Sequence, residues 1–548
     1  MNFEQQFPYG SARFAQSSEV RRAFRSVGGV PFGFFGGRKL YHSKQAGMLL
    51  IGGAGSGKFT SVLSHIMAAP GRNGEPPRYA IFDPKRELRA VLEPYLAHIK
   101  ARVYEINPYF THGVTGHRLS LLSHLTPDSP RLVGDSRRVA RTLLPDSVGG
   151  DSHFFDQKAQ NWLDPLMRGL IHLDGGVSPT SLYDLVGMIR SKPDAWIDAA
   201  SMMAGLGEPD LKITFAEMIE MAEDSRRTFD SVMGGMTNAL AIMNDPSLQS
   251  AFVATREADF TLDVLCEKSA DPVFVFFVMP PEMMQQNAAL IRQFFSTLRT
   301  LKQARPDAPT LNLVIDEAAQ LGRFPEISEF YSIGRGFGLC PVCVYQDIGQ
   351  IRNNLGPTGA MTLSASADLE VYLGGGISDL ETARHLSAKL GNQTLELEDH
   401  LTQERASRAM REAMHDALFG NANPSRTGLS LKALDYERSH KRKQARALRT
   451  PEEILTMPHS QALVMASGYG IPPFLAEKVP YYAQKSYRGL FAPNPYFDRD
   501  LSRLRVPAWW GGSRSLRVIT EQVPPSHAHL PQYQNGQWSF IQGHRPKH

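Results

Sequence analysis

The 548-residue chain has only three cysteines, Cys266, Cys340 and Cys343, too few for a disulfide framework at this length, which points to a reducing compartment. Long apolar runs are missing too. The longest, VFVFFVM at Val273 to Met279, falls far short of the ~20 residues needed to span a bilayer. The opening MNFEQQFPYGSARF lacks the basic segment and apolar run of a secretion signal. A soluble, cytoplasmic chain is the expectation. Nor is there a strong charge of one sign: 59 Lys and Arg against 55 Asp and Glu leave a net +4. That balance tolerates nucleic acid but does not announce it, so local clusters must carry any such role. No repeat of fixed period stands out.

What the chain does have is an alternation of short apolar runs with amphipathic stretches, the pattern of an α/β protein with a mainly parallel sheet. GMLLIGG (Gly47 to Gly53), YAIFD (Tyr79 to Asp83), VFVFFVM, LNLVID (Leu311 to Asp316) and LCPVCVYQ (Leu339 to Gln346) read as buried strands. From Glu282 to Arg305, Met284, Ala288, Ile291, Phe295 and Leu298 recur at helical spacing. Residues 119–267 are rich in Met, Ala and Leu with hardly any β-branched runs, which predicts an all-α domain inserted between two halves of the α/β domain, 46–118 and 268–485. Residues 1–45 form an N-terminal extension. Residues 396–449 read as a polar linker or insertion ending in the basic run RSHKRKQARALR, which serves either as a solvated face or as a phosphate contact. The segment 486–548, with seven prolines and Trp509, Trp510 and Trp538, reads as an irregular tail.

The stretch IGGAGSGKFT, Ile51 to Thr60, contains G-x-x-x-x-G-K between an apolar strand and a helix-compatible segment. Such a loop turns successive backbone N–H groups toward phosphates, with the helix N-terminus and a lysine adding positive charge. Gly52, Gly53, Ala54, Gly55, Ser56, Gly57, Lys58, Phe59 and Thr60 are the candidate nucleotide-binding residues, Lys58 meeting the terminal phosphates of ATP. The usual Mg²⁺ ligand, a Ser or Thr directly after the lysine, is Phe59 here. Thr60 replaces it only with local distortion, because one residue is a turn of ~100° around a helix. Phosphate oxygens, water and a carboxylate complete the shell with less disturbance.

LNLVIDEAAQLGRF supplies that carboxylate, with Asp316 positioned to hold Mg²⁺ and Glu317 to polarise the attacking water. Arg335, in SIGRGFG, has the chemistry of an arginine finger, and Gln346 that of a phosphate sensor or DNA contact, although an Arg before Gly is commonly a solvated helix end. Cys340 and Cys343 have C-x-x-C spacing. In a strand, side chains three apart face opposite sides, so the pair reads as core.

In this order the motifs resemble the type IV coupling proteins, the DNA-transfer ATPases of conjugation and type IV secretion. The resemblance runs from about Gly47 to Tyr482 through the P-loop strand, YAIFDPKREL, FFDQKAQNWLDPLMRGLI, LVIDEAAQLGRF, QDIGQIRNNLG, SDLETARHLSAKLGNQT and RALRTPEEILTMPHSQALVMASG. It implies a RecA-like P-loop fold with an all-α insertion, ATP and Mg²⁺ as cofactors, and a homo-hexamer as the active form. It also implies Lys58 on phosphate, Asp316 and Glu317 as Walker B, Asp83 at the nucleotide's edge, Arg335 as the finger and Gln346 as the glutamine after the next strand. Implied partners are DNA or a relaxase–DNA complex, with channel ATPases and inner-membrane components of the secretion system. Two departures stand out. Arg86 replaces the Gly of the family's Asp-Pro-Lys-Gly-Glu, and the transmembrane helices common in the family have no counterpart here, which implies peripheral recruitment to the inner membrane. A rival from another class is a recruitment platform that binds nucleotide and collects secreted proteins without pumping. A septal-type translocase fits the Asp-Pro-Lys and Leu-Gly-Arg-Phe segments less well.

Overall fold

The computed structural model describes residues 7–546 apart from 73, 146–150, 399, 420–431, 433, 436–440, 497–500, 508–511, 526, 529–532 and 534. Its apolar runs lie side by side. The strands of the main sheet are β1 (Val30–Phe35), β2 (Arg38–His42), β3 (Met48–Ile51), β4 (Arg78–Phe82), β5 (Arg102–Ile106), β6 (Val273–Phe277), β7 (Leu311–Ile315), β8 (Leu339–Tyr345), β9 (Leu369–Leu373), β10 (Gln461–Met465) and β11 (Phe474–Glu477). They stand in the order β2-β1-β11-β10-β9-β3-β8-β7-β4-β6-β5. From β9 to β5 every neighbouring pair is parallel, and from β2 to β9 every pair is antiparallel.

Every residue of β3, β4, β6, β7, β8 and β9 is buried, as a parallel sheet covered on both faces requires. That is why the sequence shows continuous apolar runs here and not alternation. Successive side chains still part company: Leu49 and Ile51 join one core with Phe294 and Leu298 of the helix Ala288–Ala304. Met48 and Leu50 join the other, with Val62 and Ile66 after the P-loop and Val91 and Tyr95 of the helix Glu87–His98.

Between β5 and β6 the chain runs through a set of helices: Leu132–Leu143, Asp151–Asp174, Pro179–Ser191, Pro193–Ala204, Pro209–Asp224, Arg226–Leu240 and Pro246–Ala251. Ser178 caps the third of these through Ser181, and proline opens that helix, its two successors and Pro246–Ala251. A short parallel pairing of Leu119 with Phe260 and Ser120 with Thr261 brings the ends of the excursion together.

Three segments are more ordered than their composition suggests. β1 and β2 belong to the main sheet, although they fall in the stretch read as an extension. The basic run forms a strand, Lys441–Ala447, antiparallel to Asn392–Glu398, with Lys443 opposite Glu396. Opposite charge across a ladder is favourable, so the described part of this run is held in a paired arm; residues 438–440 lie outside the described residues. The tail, expected to be irregular, carries a three-stranded antiparallel sheet of Arg503–Pro507, Ser513–Gln522 and Gln537–Ile541. Prolines drew attention from the alternating exposure of SRSLRVITEQ. Trp538 is buried there and its Nε1 donates to Glu521 at 3.2 Å; Trp509 and Trp510 lie outside the described residues. Among the described residues, no helix is long and apolar enough to cross a membrane.

Candidate nucleotide site at the strand ends

β3 delivers the P-loop to the carboxyl edge of the sheet, where the Gly52 N–H donates to the Tyr345 carbonyl (3.0 Å) and the Gly53 N–H to the Gly376 carbonyl (2.7 Å). Ala54 and Gly55 form the exposed crown. Gly57 has φ +81°, a left-handed conformation that lets the chain turn into the helix without a Cβ clash. Lys58 is already helical. The next turn is wound loosely, with the Ser64 N–H bonded to the Phe59 carbonyl five residues back. Phe59 itself is buried and packs 5.6 Å from the Tyr481 ring. It points into the apolar core under the P-loop helix, so it costs the phosphate cradle nothing. The Thr60 hydroxyl meets the Gly57 carbonyl at 3.4 Å.

Asp83 follows β4 and Asp316 follows β7, adjacent strands that β8 separates from β3. With strands ~4.8 Å apart, Asp83, Asp316, Gln346 and Gly52 span ~15 Å along one edge. Asp316 is half-buried, but its Oδ1 is enclosed and has no hydrogen-bond partner. Burial pushes its carboxyl up to about 6, against the pull of Lys58 and with the help of Glu317. Asp83 is buried, accepts from the Arg89 N–H at 2.8 Å, and is pushed up to about 8, chiefly by burial. Glu317 has φ +61°, an uncommon and costly conformation for a residue with a side chain. The Gln346 N–H donates to the Oε1 of Gln350, in the helix that follows, at 2.9 Å.

An enclosed carboxylate oxygen without a partner, beside a lysine and a phosphate-shaped loop, suits a hydrated Mg²⁺. Asp316 would hold it, whereas the Thr60 hydroxyl is turned to the Gly57 carbonyl. Once bound, the ion would neutralise phosphate charge.

Arg335 is not part of this cluster. It precedes β8 and therefore stands at the opposite edge of the sheet, ~20 Å away along the strand. It is exposed, and its Nη1 lies 4.0 Å from Asp368 Oδ1. It cannot reach its own P-loop.

Two residues acquire a role only in the fold. Arg86 is left-handed at φ +57°, as the turn demands of the Gly it replaces, and its buried guanidinium grips Glu105 at 2.6 and 3.1 Å. The turn is kept, at the cost of a strained residue. Lys478, just after β11, is buried, and its Nζ donates to the carbonyls of Ser56 (2.6 Å) and Gly374 (2.8 Å). Burial brings its ammonium down to about 8. The triple glycine at 374–376 was the one visible hint of a close approach behind the loop: a Cβ on Gly376 would sit 2.4 Å from that of Ser56.

A parallel, helix-covered sheet that presents a glycine-rich loop, its lysine and two acids at one edge defines a P-loop NTPase fold. The chain belongs to the type IV secretory system conjugative DNA transfer family, whose profile matches residues 16–498. Two conjugal transfer proteins TraG of Escherichia coli are each 24% identical to it, over 397 residues (69% of this chain, 56% of the relative) and 349 residues (60% and 53%). The chain thus spans about half the length of the curated relatives it matches. Its fold is similar to that of the plasmid coupling protein TrwB in complex with ADP and Mg²⁺ (TM-score 0.59, 18% identity, 86% of this chain and 94% of that one). TrwB with the ATP analogue ADPNP gives TM-score 0.59 and 18% identity over 86% and 96% of the two chains. The RecA-like core implied by the family resemblance is the fold observed.

Proposed function

We propose that this protein is an ATP-hydrolysing coupling motor that moves DNA, or a relaxase–DNA complex, toward a type IV secretion channel. The observation that carries the reading is the unpartnered Asp316 Oδ1 at the strand edge shared with Lys58. Lys58 and the loop N–H groups bind the phosphates. Asp316 holds the metal's shell, Glu317 orients and polarises the attacking water, and Gln346 senses the terminal phosphate. Asp83 lines the nucleotide's edge. Because Arg335 stands ~20 Å from its own loop, its role as a finger requires a neighbouring copy, which supports a ring, in family terms a homo-hexamer. Channel ATPases and inner-membrane components are the partners that would seat the ring peripherally at the membrane.

The test is ATP turnover by wild type and Lys58→Ala with and without single-stranded DNA. Turnover stimulated by DNA and lost in the variant supports the motor. Tight nucleotide binding with no turnover would instead mean a recruitment platform.

A further inference from the structure

We infer that Lys478 is a positioning residue for phosphate binding: its ammonium holds the Ser56–Gly57 peptide with the carbonyl turned back behind the loop, so that the Gly57 N–H faces the nucleotide. The inference rests on the nucleotide-binding reading above.

In a trans peptide the C=O and N–H point in opposite directions. Lys478 lies behind the loop and draws the Ser56 oxygen toward itself at 2.6 Å, so the amide of the same peptide turns toward the loop's concave side. Nothing local enforces that orientation. Gly57, at φ +81°, has no Cβ to resist rotation of the peptide before it. Rotated, the same peptide would aim a carbonyl oxygen at the phosphates, replacing an attraction with a repulsion. The ammonium's second bond, to the Gly374 carbonyl at 2.8 Å, anchors it to the turn whose Gly376 carbonyl holds the Gly53 N–H. One buried cation therefore ties the base of the loop at both ends. Lys478 is 4% exposed, and no carboxylate is recorded within ion-pair distance of it among the described residues, so its charge is left to act on the anion bound in front.

The experiment titrates a fluorescent ADP analogue into the full chain carrying Lys478→Met, Lys478→Gln or Lys478→Arg, with melting curves recorded without nucleotide. Lys478→Met is expected to weaken ADP by about ten- to a hundredfold, the weight of one charge-assisted hydrogen bond. It should raise the KM for ATP more than it lowers kcat. Lys478→Arg should recover most of the loss, and Lys478→Gln, which keeps an uncharged NH2 donor, should fall between. A folded Lys478→Met with unchanged ADP affinity overturns the inference, as does equal loss in Met and Arg variants, which would make shape rather than charge the cause. Unfolding of all three variants also overturns it, in favour of a purely structural brace. Failure of the wild type to bind ADP is a different result: it removes the nucleotide reading itself.

Discussion

Buried charge is handled in opposite ways in the helical excursion and at the strand ends. In the excursion Arg168 is 1% exposed and fully matched, meeting Asp164 at 3.1 Å, Asp210 at 2.6 Å and Glu208 besides. At the strand ends Asp316 encloses an oxygen with no partner, Asp83 is pushed toward neutrality, and Glu317 and Arg86 hold strained backbone. A matched cluster asks nothing of a ligand. An unmatched one is costly, and it persists where something from outside supplies the missing charge. The difference therefore separates parts that stabilise the molecule from parts that serve its chemistry.

The comparison is sharpened most by Arg335→Ala, which is expected to cut ATP turnover by about 10³ to 10⁵ while leaving nucleotide affinity near wild type. Turnover by mixtures of Arg335→Ala and Lys58→Ala chains checks the requirement for a neighbour. Partial recovery in the mixture is expected, because some interfaces then pair an intact loop with an intact finger; no recovery at any ratio would sink the trans assignment.

Arg168→Met attacks the other side. It leaves Asp164 buried without its main partner and should destabilise the chain by about 3–5 kcal/mol in chemical denaturation. ADP binding measured below the transition should stay near wild type, since the cluster lies away from the strand edge. A specific loss of ADP affinity in folded protein would erase the contrast. Phe59→Ala should cost about 3–5 kcal/mol as well, the range for truncating a buried Phe. Loss of fold stability exceeding loss of nucleotide affinity would show that Phe59 serves the core and not the metal.

A pH dependence probes the strand-end side directly. Burial pushes the Asp83 carboxyl up to about 8 from an ordinary 3.8, so the folded chain holds a proton that the unfolded chain has already released. Its contribution to stability is greatest in acid and is lost as pH rises toward about 8. Asp83→Asn has no such titration. Its melting temperature relative to nucleotide-free wild type should therefore climb from about pH 4 to about pH 8 and level off above. A gap that is flat across that range would mean that Asp83 is ionised in the fold and already paired.

Much of this was legible in the primary structure because it depends on local rules. Continuous apolar runs such as Val273 to Phe277 announce strands buried on both faces, glycines at 52, 53, 55 and 57 announce a phosphate loop, and an acid pair directly after LNLVI announces where that strand ends. Phe59 shows the limit. Its identity said that the usual hydroxyl was missing, but only its packing on Tyr481, 422 positions later, explains why an aromatic ring is accepted there. The ordered tail was missed for a different reason: its strands pair with near neighbours in sequence, but they are short, mixed in polarity and set among prolines, so their apolar alternation is weak.

The sequence by itself determined the class of protein, through motifs whose chemistry needs particular residue types at particular spacings. It also marked β3, β4, β6, β7 and β8 and the helical excursion between them, because hydrophobic periodicity is a local property. Only the tertiary structure decided that Arg335 stands at the edge of the sheet away from its own P-loop, since that depends on the direction in which β8 runs relative to β3. Only it placed Lys478 behind Ser56, 422 residues earlier. Long-range contacts of that kind leave no periodic trace, because a single buried side chain finding a single carbonyl constrains one position and imposes no pattern on its neighbours.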